Sequence, residues 1–598
     1  MTRRLSALMT VFVLVSLPIV AVGDDSRWWP AQTLPKSLVR TISLERFAQP
    51  HGPHHMLVQS VAGLAAKAVN DGRGDELVWV TSTNPDLEEW CRRFLTDHPQ
   101  LETRATLQPW ELVDRYVQQG IIQGYIVYRW DNSPGKVAED ARRPGMDCSV
   151  NVATSVAGLL NGVLVEESLE QQAQSHGLKM LFDARDKTPQ WCFKTYQDKL
   201  NRRLLCMQDP QIPNCRDLAI AHQALTLFGS EDPAASAMQS LEPLSPILGW
   251  PGGDEFQATR LSSIYGHLQT ATNWCMNLPV LMADAEHHAA PRVKHVDPRT
   301  IGVSDRRSAV SFVCTDGDNV QWYEGGFFRQ NNFWSSPDRG RIPFGWSCCF
   351  SQLTQLCPQV IDYALSTQTE NDWFIEWGGG YYYPDLFGRD RPNRWELLAR
   401  HARRTWAMMQ KNDMRLIAFN VGGDANQADA LKAYQVIAGE MDGLLAILAF
   451  YYTAYEGGAG KTFWVNDRQG HEIPIVTARY SIWNNLNQRP RCGTPAKVAR
   501  EIRDSVLAAP AGEPRYDWVI SHVWSYFRHA SGADEQTENM MQEDAPARGG
   551  IRGYTPAVWS AERLPESIRV VCPEELIWRI RMQHNPEETR RLIQKMPR

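Results

Sequence analysis

Short apolar runs alternate with amphipathic stretches along most of this 598-residue chain, and the rhythm changes once. Between residues 37 and 290, apolar runs at 77–81, 125–128 and 163–165 read as strands, and the stretches 56–69 and 150–160 read as helices beside them. Strand, helix and strand in that order form a βαβ unit, so residues 24–290 predict one or two small α/β domains. A polar stretch from 286 to 307, with two prolines and three histidines, reads as a linker over 291–307. Beyond it the spacing is regular: runs at 309–314, 342–346, 373–376, 415–419, 444–450, 473–477, 518–521 and 568–571 make eight candidate strands. Helix-like stretches at 395–409, 427–438 and 495–507 fall between them. This alternation over 308–598 predicts an α/β fold ending in a (β/α)8 TIM-like barrel, which needs ~250 residues. An open doubly wound sheet fits the same rhythm.

The N-terminus departs from both rhythms. Arg3 and Arg4, an apolar stretch at 8–20 and then Ala21-Val22-Gly23 have the order of a secretory signal peptide over 1–23, which implies a secreted or periplasmic protein. No later apolar stretch approaches the ~20 residues of a membrane span. The formal charge of -6 argues against nucleic acid as a partner, because phosphate binding needs a basic surface. No GxGxxG fingerprint is present, so no nucleotide cofactor is expected. The twelve cysteines have neither disulfide-framework nor zinc spacing; Cys206 and Cys215 make the best local pair, and Cys348 and Cys349 read as core thiols. His287 and His288 are adjacent in a loop and point apart, which argues against a metal there.

Candidate chemistry gathers at the C-terminal ends of the runs, where a barrel carries its active site. The first run leads into Thr315-Asp316-Gly317-Asp318-Asn319-Val320-Gln321. Two carboxylates and two amides around a glycine can hold hydroxyls, hold a cation through oxygen, or act as general acid and base. A plain Asp/Gly turn is the simpler alternative. The third run ends in Glu376-Trp377-Gly378-Gly379-Gly380-Tyr381-Tyr382-Tyr383-Pro384. The glycines let the backbone turn sharply, and the tyrosines offer flat apolar faces with a hydroxyl at the edge, which is sugar-binding chemistry. Trp373 and Trp377 flank Glu376, and apolar surroundings raise a carboxyl pKa. The alternative is a buried Glu376 paired with a cation such as Arg479. Asp424 follows the fourth run, Glu456 the fifth and Arg479 the sixth, while His522 and Trp524 share one face at the end of the seventh. Glu574 and Glu575 read as the first turn of a helix. Earlier, Pro251-Gly252-Gly253-Asp254-Glu255 follows a strand-like run; it reads as an acidic surface turn, with a second wall of the cleft as the functional alternative.

Gly378, Gly380, Tyr381, Tyr383 and Pro384 occupy the named positions of the pattern that gives the GxGYxYP family of glycoside hydrolases its name, and the chain resembles that family over nearly all of 24–598. Residues 58–64 look like the family's N-terminal helix, and Asp316-Gly317-Asp318-Asn319 and Gly345-Trp346 look similar to parts of its C-terminal domain. The resemblance implies an N-terminal region ahead of a barrel-like, carbohydrate-acting domain, and it supplies no catalytic pair. The resulting expectation is an exported hydrolase of polysaccharide or oligosaccharide that needs no cofactor or metal. Glu376 would be the general acid and Asp316 or Asp318 the nucleophile or base. Trp377, Gly378, Gly380, Tyr381, Tyr383, Asn319, Gln321, Asp424, Glu456, Arg479, His522 and Trp524 would meet the substrate. A glycan binder without turnover is one alternative; a metal-dependent deacetylase with Asp316, Asp318 and His522 as ligands is another.

Overall fold

The computed structural model describes residues 27–46, 52–137, 143–229, 233–302, 305–451, 460–510, 512–529, 538–540 and 546–596. The leader-like segment and Glu456 lie outside them. The N-terminal region holds three small parallel sheets. The first is β1 (Ser37–Thr41), β2 (Glu76–Trp79) and β3 (Glu102–Leu107), in the order β2-β1-β3. The second is β4 (Gly124–Tyr128), β5 (Gly162–Glu166) and β6 (Met180–Asp183), in the order β5-β4-β6. The third is β7 (Leu205–Met207), β8 (Leu225–Leu227), β9 (Pro246–Gly249) and β10 (Leu268–Thr270), in the order β10-β9-β7-β8. Three of the four strands in this last sheet have only three residues, too short to show as runs in the sequence.

The C-terminal region is one curled sheet: β11 (Ser308–Cys314), β12 (Phe344–Cys348), β13 (Asp372–Trp377), β14 (Leu416–Val421), β15 (Ala446–Tyr451), β16 (Thr462–Asn466), β17 (Glu472–Thr477), β18 (Tyr480–Ile482), β19 (Cys492–Gly493), β20 (Tyr516–Ser521) and β21 (Ile568–Val570). All eight sequence runs are strands of it, and its ladder runs β16-β17-β15-β14-β13-β12-β11-β20-β18-β19. Only the β16–β17 pair is antiparallel.

The curled sheet differs from a (β/α)8 barrel in its strand order. The seventh run, β20, ladders directly on β11 from Ala309↔Tyr516 to Cys314↔Ser521, which leaves no edge there for the eighth. β21 instead joins the other edge of β11 at Ser308 to Val310, below the β12 pairing at Phe312 and Val313. The curl brings its two ends together at Ala478 and Arg479, whose amides donate to Ala449 O on one side and Trp518 O on the other.

Both faces of the curl are buried, which is why its strands read as near-continuous apolar runs. Val313, Ile375, Trp377, Leu416, Ala418, Leu448, Trp518 and Ile520 fill the inside, with Leu576, Ile577 and Ile580 of the helix Pro573–His584. Phe312, Phe344, Ile417, Phe419, Ile447 and Val519, at alternating positions, join the larger core outside.

The expected linker is a strap. Val293 N–H donates to Asn412 O (2.9 Å), Lys294 Nζ to Thr369 O (2.6 Å), and Glu574 accepts from His295 Nδ1 (2.6 Å) and Val296 N–H (2.9 Å). The third N-terminal sheet meets the C-terminal ends of the curl, where Gln269 and Tyr381 form an antiparallel bridge with N···O distances of 3.0 and 3.2 Å.

A candidate active site beneath the N-terminal region

Strand pleating decides which side chains reach the mouth of the curl. On β13, Ile375 and Trp377 face inward, so Glu376 between them faces outward. It is 0% exposed, and its carboxylate accepts from Ser351 N–H (3.0 Å), Ser351 Oγ (2.9 Å) and Gly379 N–H (3.0 Å). Burial pushes its pKa up to about 7 against those donors. Glu376, expected at the sugar cleft, is placed elsewhere: its carboxyl ties the helix Phe350–Leu356 to the glycine turn and does not line the cleft. Arg479 is not its partner but pairs with Asp517 (2.6 Å) and donates to Gly460 O (2.8 Å).

The cleft lies where the inward alternation of the strands runs out. Thr315 after β11, Trp377 on β13, Asn420 on β14 and His522 after β20 line it, with Asp316, Asp318, Trp483 and Glu255. It is a small cavity of about 80 Å³, below the ~300–1,000 Å³ usual for drug-sized ligand sites. A tighter extension shares Glu255, Asp318, Trp377 and Asn420, and adds Gly380, Tyr381 and Tyr383. Larger clefts of about 210, 340 and 310 Å³ open elsewhere, but none gathers carboxylates as this one does.

Asp316 sits at φ +65°, a left-handed conformation that Asp tolerates better than most residues. Gly317 beside it lies against β12: a Cβ there would be 2.5 Å from Ser347 C and Cys348 N, so only glycine fits. This close turn delivers Asp316 and Asp318 to the cleft. Thr315 Oγ1 donates to Asp316, and the Trp524 indole also hydrogen-bonds it. Asp318 is 5% exposed and takes a hydrogen bond from the Tyr381 hydroxyl.

Glu255 arrives from the N-terminal region. β9 ends at Gly249, where φ is +85° and a Cβ would stand 2.0 Å from Met207 O. Gly252 and Gly253, at φ +73° and +75°, then turn the chain into the helix Glu255–Ile264. Of the two acids in this loop, Asp254 is used as the N-cap, accepting from Phe256 N–H at 3.0 Å. Glu255 is the one in the cleft.

The three carboxyls cannot all ionise at once. Burial raises the pKa of Asp316, opposed by its Thr315 and Trp524 hydrogen bonds. Burial, then Glu255 and Asp316, hold Asp318 well above the usual range. Glu255 is partly exposed as a residue, yet protein crowding and the nearby Asp316 and Asp254 push its pKa up to about 8. The free amides of its helix favour the anion by about 0.3–1 kcal/mol, less than one pH unit, so burial wins. His522 stacks on Trp483 with centroids 3.8 Å apart and planes 3° off parallel, its Nδ1 lies 2.7 Å from Ser525 Oγ, and burial lowers its pKa to about 3. It is a neutral imidazole at pH 7.

Other sequence candidates sit elsewhere. Trp524 packs on Trp322 and Phe333 and hydrogen-bonds Asp316. Asn319 caps the helix Val320–Gly325, Gln321 accepts from Trp274 N–H (2.8 Å), and Asp424 is exposed away from the cleft. Gly378 turns the chain at φ +65°, and Tyr383, 1% exposed, forms the floor of the extension with Phe256 against it.

Asp316, Asp318 and His522 do not bring ligand atoms within 4.8 Å of one another; among the described residues Asp97, Asp284 and His288 do. Asp284 is already engaged by His98 (2.8 Å), His288 (2.9 Å) and Gln359 (3.1 Å). Cys206 and Cys215 are buried neighbouring thiols without a disulfide, and Cys348 and Cys349 are core residues. Sequence reasoning undervalued Glu255, whose signal was a Gly-Gly loop after a strand, and missed Thr315, Asn420 and Trp483.

A crystal structure of a putative hydrolase from Bacteroides thetaiotaomicron has the same fold, with a TM-score of 0.71 at 19% identity, covering 93% of this chain and 96% of that one. A domain of unknown function from Bordetella bronchiseptica, crystallised with citrate, is 10% identical over 74% of this chain and 94% of its own, with a TM-score of 0.12. No curated protein matches the sequence. Residues 307–529 match the GxGYxYP putative glycoside hydrolase C-terminal domain, and residues 122–200, which hold the second small sheet, match the second domain of the GxGYxYP N-terminal region. The chain belongs to the GxGYxYP family.

Proposed function

We propose that this protein is an exported glycoside hydrolase that cleaves an oligosaccharide or polysaccharide in the cleft at the mouth of the curl. One observation carries the reading: Asp316 and Asp318, crowded together but unequally hydrogen-bonded, share a small cleft with the aromatic rings of Trp377 and Trp483. Glycosidic cleavage needs one ionised carboxylate and one protonated one. Asp316, with two donors to its oxygens, is the better-stabilised anion and serves as nucleophile or as base toward water. Asp318, held by Tyr381, keeps the neighbouring carboxyls from ionising together. Trp377 and Trp483 give flat faces for a sugar ring, and Asn420 Oδ1 is a buried acceptor with no hydrogen-bond partner in the structure, suited to a sugar hydroxyl. The leader-like N-terminus fits a substrate outside the cytoplasm.

The test is a screen of the full mature chain against plant, algal and bacterial glycans, scoring binding and release of reducing ends. Asp316→Asn should lower turnover by roughly 10²- to 10⁴-fold with glycan affinity retained. Glycan binding with no reducing ends released by the wild type would identify a binder instead, and loss of activity with chelator would identify a metal enzyme.

A further inference from the structure

The N-terminal region reaches into the cleft with one ionisable side chain, and its placement has a chemical consequence. Asp316 and Asp318 come from a single turn after β11, two residues apart, whereas Glu255 comes from the other half of the chain and lines both the cleft and its extension. The loop that carries it is shaped for delivery: three glycines at positive φ, 249, 252 and 253, lead to Asp254, which is spent as the helix cap. Among the described residues no hydrogen bond engages the Glu255 carboxyl, in contrast to Asp316, Asp318 and Glu376. It is also the more open of the two crowded acids, since the residue is partly exposed and Asp318 is 5% exposed.

We propose that Glu255 is the catalytic proton donor, so that the active site is completed by the N-terminal region and the curled sheet alone is only half of it. The inference rests on the glycoside hydrolase reading above. As the bond from the anomeric carbon to the leaving oxygen breaks, its electron pair stays on that oxygen, which takes the Glu255 proton. The carbon takes its new bond either from Asp316 or from a water whose proton passes to Asp316, and in the first case water, with its proton going back to Glu255, completes the hydrolysis. Burial beside Asp316 keeps Glu255 protonated at neutral pH, its pKa lying near about 8. An unbonded carboxyl at the edge of the cleft can recover its proton from solvent after each turnover.

The experiment compares Glu255→Gln with wild type in the full chain, on a cleaved oligosaccharide and on 2,4-dinitrophenyl glycosides of the same sugar, whose leaving group needs no proton. Glu255→Gln should lose roughly 10²- to 10⁴-fold on the oligosaccharide and under roughly 10-fold on the activated glycoside, and should lose the fall in rate that wild type shows above about pH 8. Glu255→Asp, which keeps the proton on a shorter arm, covers the case of a Gln variant that does not fold; it should retain that alkaline fall at reduced rate. Equal losses on both substrates, or no loss, overturn the proposal while the hydrolase reading stands. So does leaving-group dependence that appears in Asp318→Asn and not in Glu255→Gln. A wild type that cleaves none of the glycans overturns the hydrolase reading itself, and this inference with it.

Discussion

Replacing Glu376 by Gln distinguishes a buried structural carboxyl from a catalytic one, and the outcome should depend on pH. Glu376 is 0% exposed and accepts three hydrogen bonds, two from Ser351 and one from Gly379. Gln keeps the shape but turns an NH2 toward an N–H or O–H donor, and one buried polar group left unsatisfied costs about 1–3 kcal/mol. The charge works the other way. The folded-state pKa is raised from 4.5 to about 7, so the native state holds the proton more tightly than the unfolded chain does. The contribution of Glu376 to stability is therefore fully present below pH 4.5 and is lost as pH rises to 7, by about 3 kcal/mol at ~1.4 kcal/mol per unit. Gln carries no such loss. Denaturant or thermal melts should show Glu376→Gln less stable than wild type at pH 5 and equal or more stable at pH 8.5, with kcat within a few-fold throughout. A kcat loss of roughly 10²-fold or more with unchanged stability would return Glu376 to the catalytic role and refute the strand-face reasoning. A stability difference independent of pH would refute the burial account.

Two further outcomes follow from the same contacts. Trp524→Phe keeps a ring against Trp322 and Phe333 but removes the indole N–H from Asp316, so the Asp316 pKa should rise and the acid limb of kcat/KM should move up by roughly one unit; an unmoved limb would show that Asp316 does not have to ionise. Limited trypsin digestion should leave the N- and C-terminal halves associated on gel filtration and the strap uncut at Arg292 and Lys294, because the backbone beside them is bonded to Asn412 and Glu574; release of a free C-terminal fragment would contradict the interlocked arrangement.

The eight apolar runs of the C-terminal half were legible because both faces of the curl are buried and all but the three-residue β21 are strands of five residues or more. Asp316 and Asp318 were legible as well: a polar cluster directly after a buried strand has few places to go except the strand's exit. The order of strands in the curl was not. Apolar rhythm shows that a strand exists but not which edge it takes, and β20 occupies the edge of β11 that chain order would give to β21.

Glu376 shows the finest scale at which sequence is silent. A run buried on both sides has no alternation to say which residues face in, and a shift of one position separates the cleft from the outer core. Trp377 went one way and Glu376 the other. Glu255 shows the coarsest: its loop looks like a surface turn because nothing nearby in sequence buries it, and only the docking of the third N-terminal sheet on the mouth, through Gln269 and Tyr381, encloses it. Sequence alone determined the eight apolar runs, the family and the first carboxylate turn, since these depend on local composition and periodicity. Tertiary structure decided the pairing order, the facing of each side chain and the membership of the site, since these depend on which distant surfaces exclude water from one another.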